Sequence, residues 1–359
     1  MEHGGDLLTY KNCFDGRLVD FSSNINPLGF PEGLEERLKN SFDTLTSYPD
    51  IQYRALRKSV SNYLNCDYNN VLVGNGAVEI INDFIMLADR VMVMVPGFSE
   101  YENRALIHGK KVVRIPYKKD FTVDIDILRD LVKKDDLLIL GNPNNPTGLR
   151  IKEDTLSDIY LLMESGGGYL LLDEAFFEFC PKDYNSIELF KKYNYRNVGI
   201  IRAATKFFAL PGIRLGYGCA SDKKVEEIRK IRLPWSINSL ADISGQYICN
   251  NKKHIKDYIE KSRDYIERER DYLQGELSKI SGIVPVPSHS NYILIKLIDW
   301  DGEYIFNFFL EKGILIRKCG SFVGLPKNYI RIAVKDSENN KRLIQIFKEL
   351  NRLSEHKGV

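Results

Sequence analysis

Seven short apolar runs, separated by stretches of helical character, constrain the fold of this chain more than any other feature. They are VLV (71–73), RVMVMVP (90–96), KVVRIPY (111–117), the DLLILG that opens 136–148, YLLLD (169–173), NVGIIRA (197–203) and RLGYGCA (214–220). Short apolar runs bounded by Gly, Pro and Asn read as strands buried on both faces. Helical patterns lie between them: from Ala77 onward, from PGFSEY to about 109, and over 124–134. Strands alternating with helices predict a mostly parallel sheet covered on both sides. Residues 74–77, Phe98, Asn145, Asp173 and Lys206 each fall just after a strand. Open sheets of this kind bind ligands beyond the carboxyl ends of their strands, so one shared cleft is expected.

The stretch RAATKFFALPGIRLGY (202–217) carries the most chemistry. Lys206 sits among Phe207, Phe208, Leu210 and Ile213, poor company for a charged amine. A desolvated lysine is a good nucleophile toward an aldehyde, so a Schiff base is one reading. The other is a lysine that snorkels from a core strand. Thr205 and Arg214 could both grip a phosphate, and an aldehyde joined to a phosphate describes pyridoxal phosphate (PLP). Asp173 ends an apolar strand, where a lone carboxylate would cost several kcal/mol without a partner. A protonated pyridine nitrogen would be such a partner. The strand–GNG–helix layout at 71–77 presents free backbone amides to an anion. It is no dinucleotide fingerprint, because GxGxxE lacks the third glycine.

The remainder frames this core. Asn24, in SSNINPLGFP, reads as a turn residue or a site residue, and His3 sits in a terminal HGG. Residues 31–66 read as two helical pieces broken by TSYPD (46–50), since Pro49 disfavours helix at Tyr48. From about 222 the character changes to helices on both sides of Pro234 and a long helix over 252–280. A small α+β unit follows, with strands at 291–297, 314–319 and 329–334 and helices at 301–312 and the C-terminus. Arg317 and Arg331 lie on its strands, where alternate positions often face water. Of 359 residues, 51 are Lys or Arg and 49 Asp or Glu, a net charge of +2 that gives no electrostatic case for nucleic acid or membrane. The N-terminus lacks the pattern of a signal peptide, no run is apolar enough to span a membrane, and the six cysteines are scattered. These point to a cytoplasmic protein with reduced thiols. The five histidines have no metal-ligand spacing, so no metal is expected.

GNPNNPTG (141–148), LLLDEAF (170–176) and TKFFALPGIRLGY (205–217), in this order, resemble the fold-type I PLP enzymes of the aminotransferase class I/II superfamily. The resemblance spans nearly the whole chain. It implies an α/β fold: a large domain (31–250) with a mostly parallel seven-stranded sheet, and a small domain from 1–30 and 251–359. It also implies roles. Lys206 would hold the cofactor covalently, Asp173 pair with its ring nitrogen, Asn145 bond its phenolic oxygen, and Phe98 stack on the ring. Gly76, Ala77, Thr205 and Arg214 would hold its phosphate, joined by Tyr48 from the other subunit of a homodimer. Arg331, with Asn145 close by, would take a substrate carboxylate. His3, Asn24 and Arg317 would take a substrate phosphate.

Two branches of the superfamily compete. HGG, DFSSNINPLG, SYPD, PGFSEY, DEAF, LPWSINSLA and SNYIL look most like the threonine-phosphate decarboxylases, which make aminopropanol phosphate for cobalamin. The histidinol-phosphate aminotransferases share fewer of these. Phe176 stands where the aminotransferases commonly have Tyr, which favours the decarboxylase branch. Ala203 replaces a usual Ser or Thr, which removes one phosphate contact. A non-catalytic PLP-binding regulator would carry a DNA-binding module ahead of the cofactor domain, and the chain shows no room for one.

Overall fold

The computed structural model describes residues 4–250 and 252–355. A short strand β1 (Val19–Asp20) precedes seven that form the large sheet. These are β2 (Val71–Gly74), β3 (Arg90–Val95), β4 (Lys111–Pro116), β5 (Asp136–Gly141), β6 (Tyr169–Asp173), β7 (Val198–Ala203) and β8 (Gly216–Cys219). Their spatial order is β2-β8-β7-β6-β5-β3-β4. Only β8 is antiparallel to its neighbours, so the other six strands end on one edge.

Side chains alternate across a strand, and here both alternating sets are apolar. Val91, Val93, Leu137, Ile139 and Leu171 pack into one buried cluster. Met92, Met94, Leu138, Leu140 and Leu172 pack into another, on the opposite face. Burial on both faces is what the continuous apolar runs require. Helix Ala77–Met86 covers the first face with Ile80, Ile81, Phe84 and Ile85.

The C-terminal part builds an antiparallel sheet from β9 (Ile283–Pro285), β10 (Tyr292–Leu297), β12 (Arg317–Lys318) and β13 (Tyr329–Ala333). Its order is β12-β13-β10-β9. The long helices Lys253–Leu277 and Ser337–Glu355 flank it. The single strand expected over 314–319 is divided. β11 (Ile314–Leu315) pairs in parallel with β1, whereas β12 pairs with β13. The chain changes partner at Ile316, and this sets Arg317 directly opposite Arg331. Strands Val19–Asp20 and Ile283–Pro285 and helix Ser186–Lys191 are too short to show a period, whereas helix Glu153–Ser165, also not among the expected elements, does carry one in its buried Leu156, Ile159, Tyr160 and Met163. Among the described residues no helix is long and apolar enough to cross a membrane.

Candidate active site

A cavity of about 710 Å³ opens at the carboxyl edge of the large sheet. Ala77, Phe98, Asn145, Asp173, Thr205 and Lys206 reach it from the ends of five different strands. Arg214, just before β8, joins them, and Asn24, Arg317 and Arg331 close it from the other side. Gly76 sits just behind Ala77. Tyr48 does not reach the cavity of its own chain: it is 81% exposed, its ring against Trp235 at 4.8 Å. His3 lies outside the described residues.

One end of the cavity is a backbone cradle. Gly76 takes φ +79°, a conformation that favours glycine, and starts helix Ala77–Met86, whose first amides have no helical acceptor. The Arg214 guanidinium lies over Gly76 so closely that a Cβ there would meet Nη2 at 2.5 Å. On the adjoining strand, a Cβ at Gly216 would meet the Ala77 nitrogen at 2.5 Å. The helix-start amides and the guanidinium thus lie together, with Thr205 lining the same cavity, an arrangement that suits one compact anion. Gly216→Ala should therefore press on rigid backbone and cost about 1–3 kcal/mol in denaturant unfolding. Gly212→Ala has open space around it and should stay within about 0.5 kcal/mol of the parent.

Lys206 stands at the centre. Burial lowers its pKa from 10.5 to about 8, helped by the positive charges of Arg331 and Arg214. Its backbone carbonyl accepts from the Asn26 N–H at 3.0 Å, tying the N-terminal segment to the lysine loop. The depressed pKa has a stability consequence in cofactor-free protein. Between about pH 8 and 10.5 the unfolded chain binds more protons than the folded one, so stability rises with pH there. Cofactor-free Lys206→Met should accordingly melt above the parent at pH 7. The gap should be full below about pH 8 and close as pH approaches 10.5.

Asp173 ends β6 and is 8% exposed. Its Oδ2 accepts from the Tyr101 hydroxyl at 2.7 Å and its Oδ1 from the Ala175 N–H at 3.0 Å. Burial pushes its pKa up, while those two donors pull it down. Such a carboxylate suits a cationic partner in the cavity. Tyr101 is a site residue that sequence reasoning missed. It lies one helical turn beyond Phe98 and packs edge-on to it at 5.5 Å and 86°. Phe176 meets the Tyr292 ring edge-on at 4.9 Å, and Ala203 is buried with no hydroxyl to offer.

The opposite wall is cationic. Arg331 is buried, and burial lowers its pKa. Its Nη1 donates to Asn145 Oδ1 and its Nη2 to the Ser22 carbonyl at 2.8 Å. Arg317 donates to Ser321 Oγ at 2.9 Å. Asn24 is 2% exposed, and its Oδ1 has no hydrogen-bond partner. A buried amide oxygen without a partner costs free energy and marks a place where a ligand donor would be welcome.

The family described as aminotransferase class I and II matches residues 17–347. A protein of Caldanaerobacter subterraneus subsp. tengcongensis, provisionally named a threonine-phosphate decarboxylase, is 37% identical over 97% of this chain and 94% of its own. The adenosylcobalamin biosynthesis bifunctional protein CobDQ of Leptospira interrogans is 35% identical over 97% of this chain; the match spans 41% of that longer protein. The crystal structure of histidinol-phosphate aminotransferase from Clostridium acetobutylicum superposes with a TM-score of 0.86 at 34% identity, covering 93% of this chain and 99% of that one. The architecture is that of the fold-type I PLP enzymes: a mostly parallel seven-stranded sheet and a separate small sheet. With the match running from residue 17 to 347, the chain belongs to the aminotransferase class I and II family.

Proposed function

We propose that this enzyme decarboxylates L-threonine O-3-phosphate to (R)-1-amino-2-propanol O-2-phosphate, a step toward cobalamin. The cofactor is PLP, and the residues present fit it. The cradle of Gly76, Ala77, Thr205 and Arg214 suits its phosphate, Lys206 its aldehyde, and the buried Asp173 its protonated ring nitrogen. Phe98 and Asn145 both line the cavity, which suits the first to a ring face and the second to the phenolic oxygen. The facing pair Arg317 and Arg331 on neighbouring strands suits a substrate with two anionic ends, such as the carboxylate and phosphate of threonine phosphate. Aminotransferases can carry the same pair, so the observation that carries the assignment is Phe176, packed on Tyr292 where aminotransferases commonly have Tyr, beside the 37% identity to the relative named a threonine-phosphate decarboxylase.

When bound, the cofactor supplies an electron-accepting ring that takes up the electron pair left by departing CO2. The chain's own groups do the rest. With a pKa near 8, Lys206 is partly neutral at physiological pH, the form in which it can hold an aldehyde carbon or yield it to the substrate amine. Arg331 grips the substrate carboxylate and, with Asn24 and Arg317 on the phosphate, sets which bond at Cα stands across the ring. That orientation separates decarboxylation from transamination, and positioning effects of this kind are large. Once CO2 has gone, the ammonium of the freed Lys206 gives a proton to Cα.

Tyr48 supports a homodimer in which it enters the neighbouring cavity. It lies in an exposed apolar patch with Leu45, Ile51, Leu233 and Trp235, the sort of surface that a second copy covers. The two sheets support the division into a large domain over 31–250 and a small one from 1–30 and 251–359. A cytoplasmic setting suits the six unpaired thiols.

The alternative is an aminotransferase acting on histidinol phosphate or a related phosphorylated amine, favoured by the Clostridium acetobutylicum similarity. Enzyme, PLP and O-phospho-L-threonine should release CO2 with no 2-oxo acid present. If the cofactor is instead aminated and turnover requires an acceptor, the alternative replaces the decarboxylase reading.

A further inference from the structure

The N-terminal segment that reaches the cavity is tied by a carboxylate with no part in the roles above. Asp20 ends β1, and its two oxygens close the following turn. Oδ1 accepts from the Ser22 N–H at 2.8 Å, the Ser22 hydroxyl at 2.6 Å and the Ser23 N–H at 3.2 Å. Oδ2 accepts from the Ser23 hydroxyl. Side-chain acceptors of this kind fix a turn that has no ladder to hold it. The carbonyls of the knotted residues then point at cations: Ser22 O at Arg331 Nη2, 2.8 Å away, and Ser23 O at Lys335 Nζ, 3.2 Å away.

Arg331 depends on that aim. Its strand places its backbone, but its long side chain must be steered. Nε is buried without a partner, so the guanidinium is oriented by its two arms, one on Asn145 and one on Ser22. Bidentate recognition of a carboxylate requires the fork to face its ligand squarely. Arg317 lies directly across the strand pair, so a loosened Arg331 would move in the field of a like charge. The Asp20 charge also favours the protonated forms of Lys206, Arg331 and Lys335.

We propose that Asp20 is a positioning residue for Arg331, fixing through the Ser22 carbonyl the direction in which that guanidinium meets a substrate carboxylate. This rests on the reading that Arg331 receives the carboxylate. The residues flanking the knot are anchored independently. The Phe21 carbonyl accepts from the Ala333 N–H at 2.8 Å, and the Asn24 carbonyl from Asn291 at 3.0 Å. Removing the Asp20 side chain therefore frees the serines without releasing the segment.

The test compares two ligands on the holoenzyme: O-phospho-L-threonine, and phosphoethanolamine, which has amine and phosphate but no carboxylate. Asp20→Ala should weaken the first about tenfold and leave the second within about twofold, with the cofactor still fully bound. In an Arg331→Ala background the Asp20 change should add nothing, because the two act through one contact. Equal weakening of both ligands, or additive losses, would overturn the proposal. If Arg331→Ala itself fails to discriminate the ligands, the Arg331 reading falls. If it discriminates and Asp20→Ala does not, only the positioning role falls. Should Asp20→Ala not fold, Asp20→Asn decides. It keeps one acceptor and should show a loss of about threefold confined to the carboxylate ligand; a loss shared by both ligands overturns the idea.

Discussion

Lys206→Ala should turn over O-phospho-L-threonine at least about ten-thousand-fold more slowly than the parent, the upper range for losing a positioned proton-transfer group. The lysine is asked to do two things, and alanine does neither. It must present an uncharged amine, which its burial and the nearby Arg331 and Arg214 favour by lowering its pKa to about 8. On the proposed reading it must also deliver a proton to the carbon that has lost CO2. No other lysine among the described residues lines the cavity. Lys335, a neighbour, already donates to the Ser23 carbonyl. Borohydride treatment of the parent with PLP should therefore fix the cofactor's mass on the peptide that contains Lys206, and the variant should take up none. A small exogenous amine should restore part of the variant's turnover by supplying the missing proton donor. Labelling at another lysine, or turnover within about tenfold of the parent, would remove Lys206 from the centre of the chemistry.

The parts of the site legible in the sequence are those fixed by where a strand stops. A run such as YLLLD has to end its burial where polarity begins, so Asp173 announces itself. Lys206, Asn145 and Phe98 do the same, because the loops after parallel strands share one edge. What escaped notice depends on contacts between distant segments. Tyr101 reads as an ordinary helix aromatic until its hydroxyl is seen on Asp173, 72 residues further along. The spacing from Phe98, one helical turn, was the available signal. Asp20 and Ser22 read as loop, since nothing in DFSSN shows that a carbonyl there faces Arg331, 309 residues away. The apolar run over 314–319 looked continuous because a strand that changes partner at Ile316 leaves no mark in its pattern. Tyr48 does not line the candidate active-site cavity of its own chain, and intrachain packing alone could not have revealed its proposed role.

Asp173→Asn should lower turnover by about a hundred- to a thousand-fold, the range found when one preorganised electrostatic partner is removed. The substitution keeps size and shape. The Asn oxygen can still accept from the Ala175 N–H, and its amide can donate to the Tyr101 oxygen, since a hydroxyl serves either way. The pocket should stay intact, so melting temperature should shift little while function falls. What goes is the negative charge. Burial alone would favour a protonated Asp173, and the Tyr101 and Ala175 donors oppose that by stabilising the carboxylate. On the proposed reading a carboxylate so held would keep a proton on the cofactor's ring nitrogen, and a neutral amide would not. PLP should consequently bind the variant more weakly. A cofactor analogue methylated on the ring nitrogen, permanently cationic, should narrow the gap in turnover between variant and parent. Equal turnover of parent and variant with natural PLP would show that the ring nitrogen needs no acid. A loss the methylated analogue leaves untouched would mean that Asp173 acts through packing instead of charge. The two outcomes differ because charge and shape, joined in aspartate, are separated in this pair of experiments.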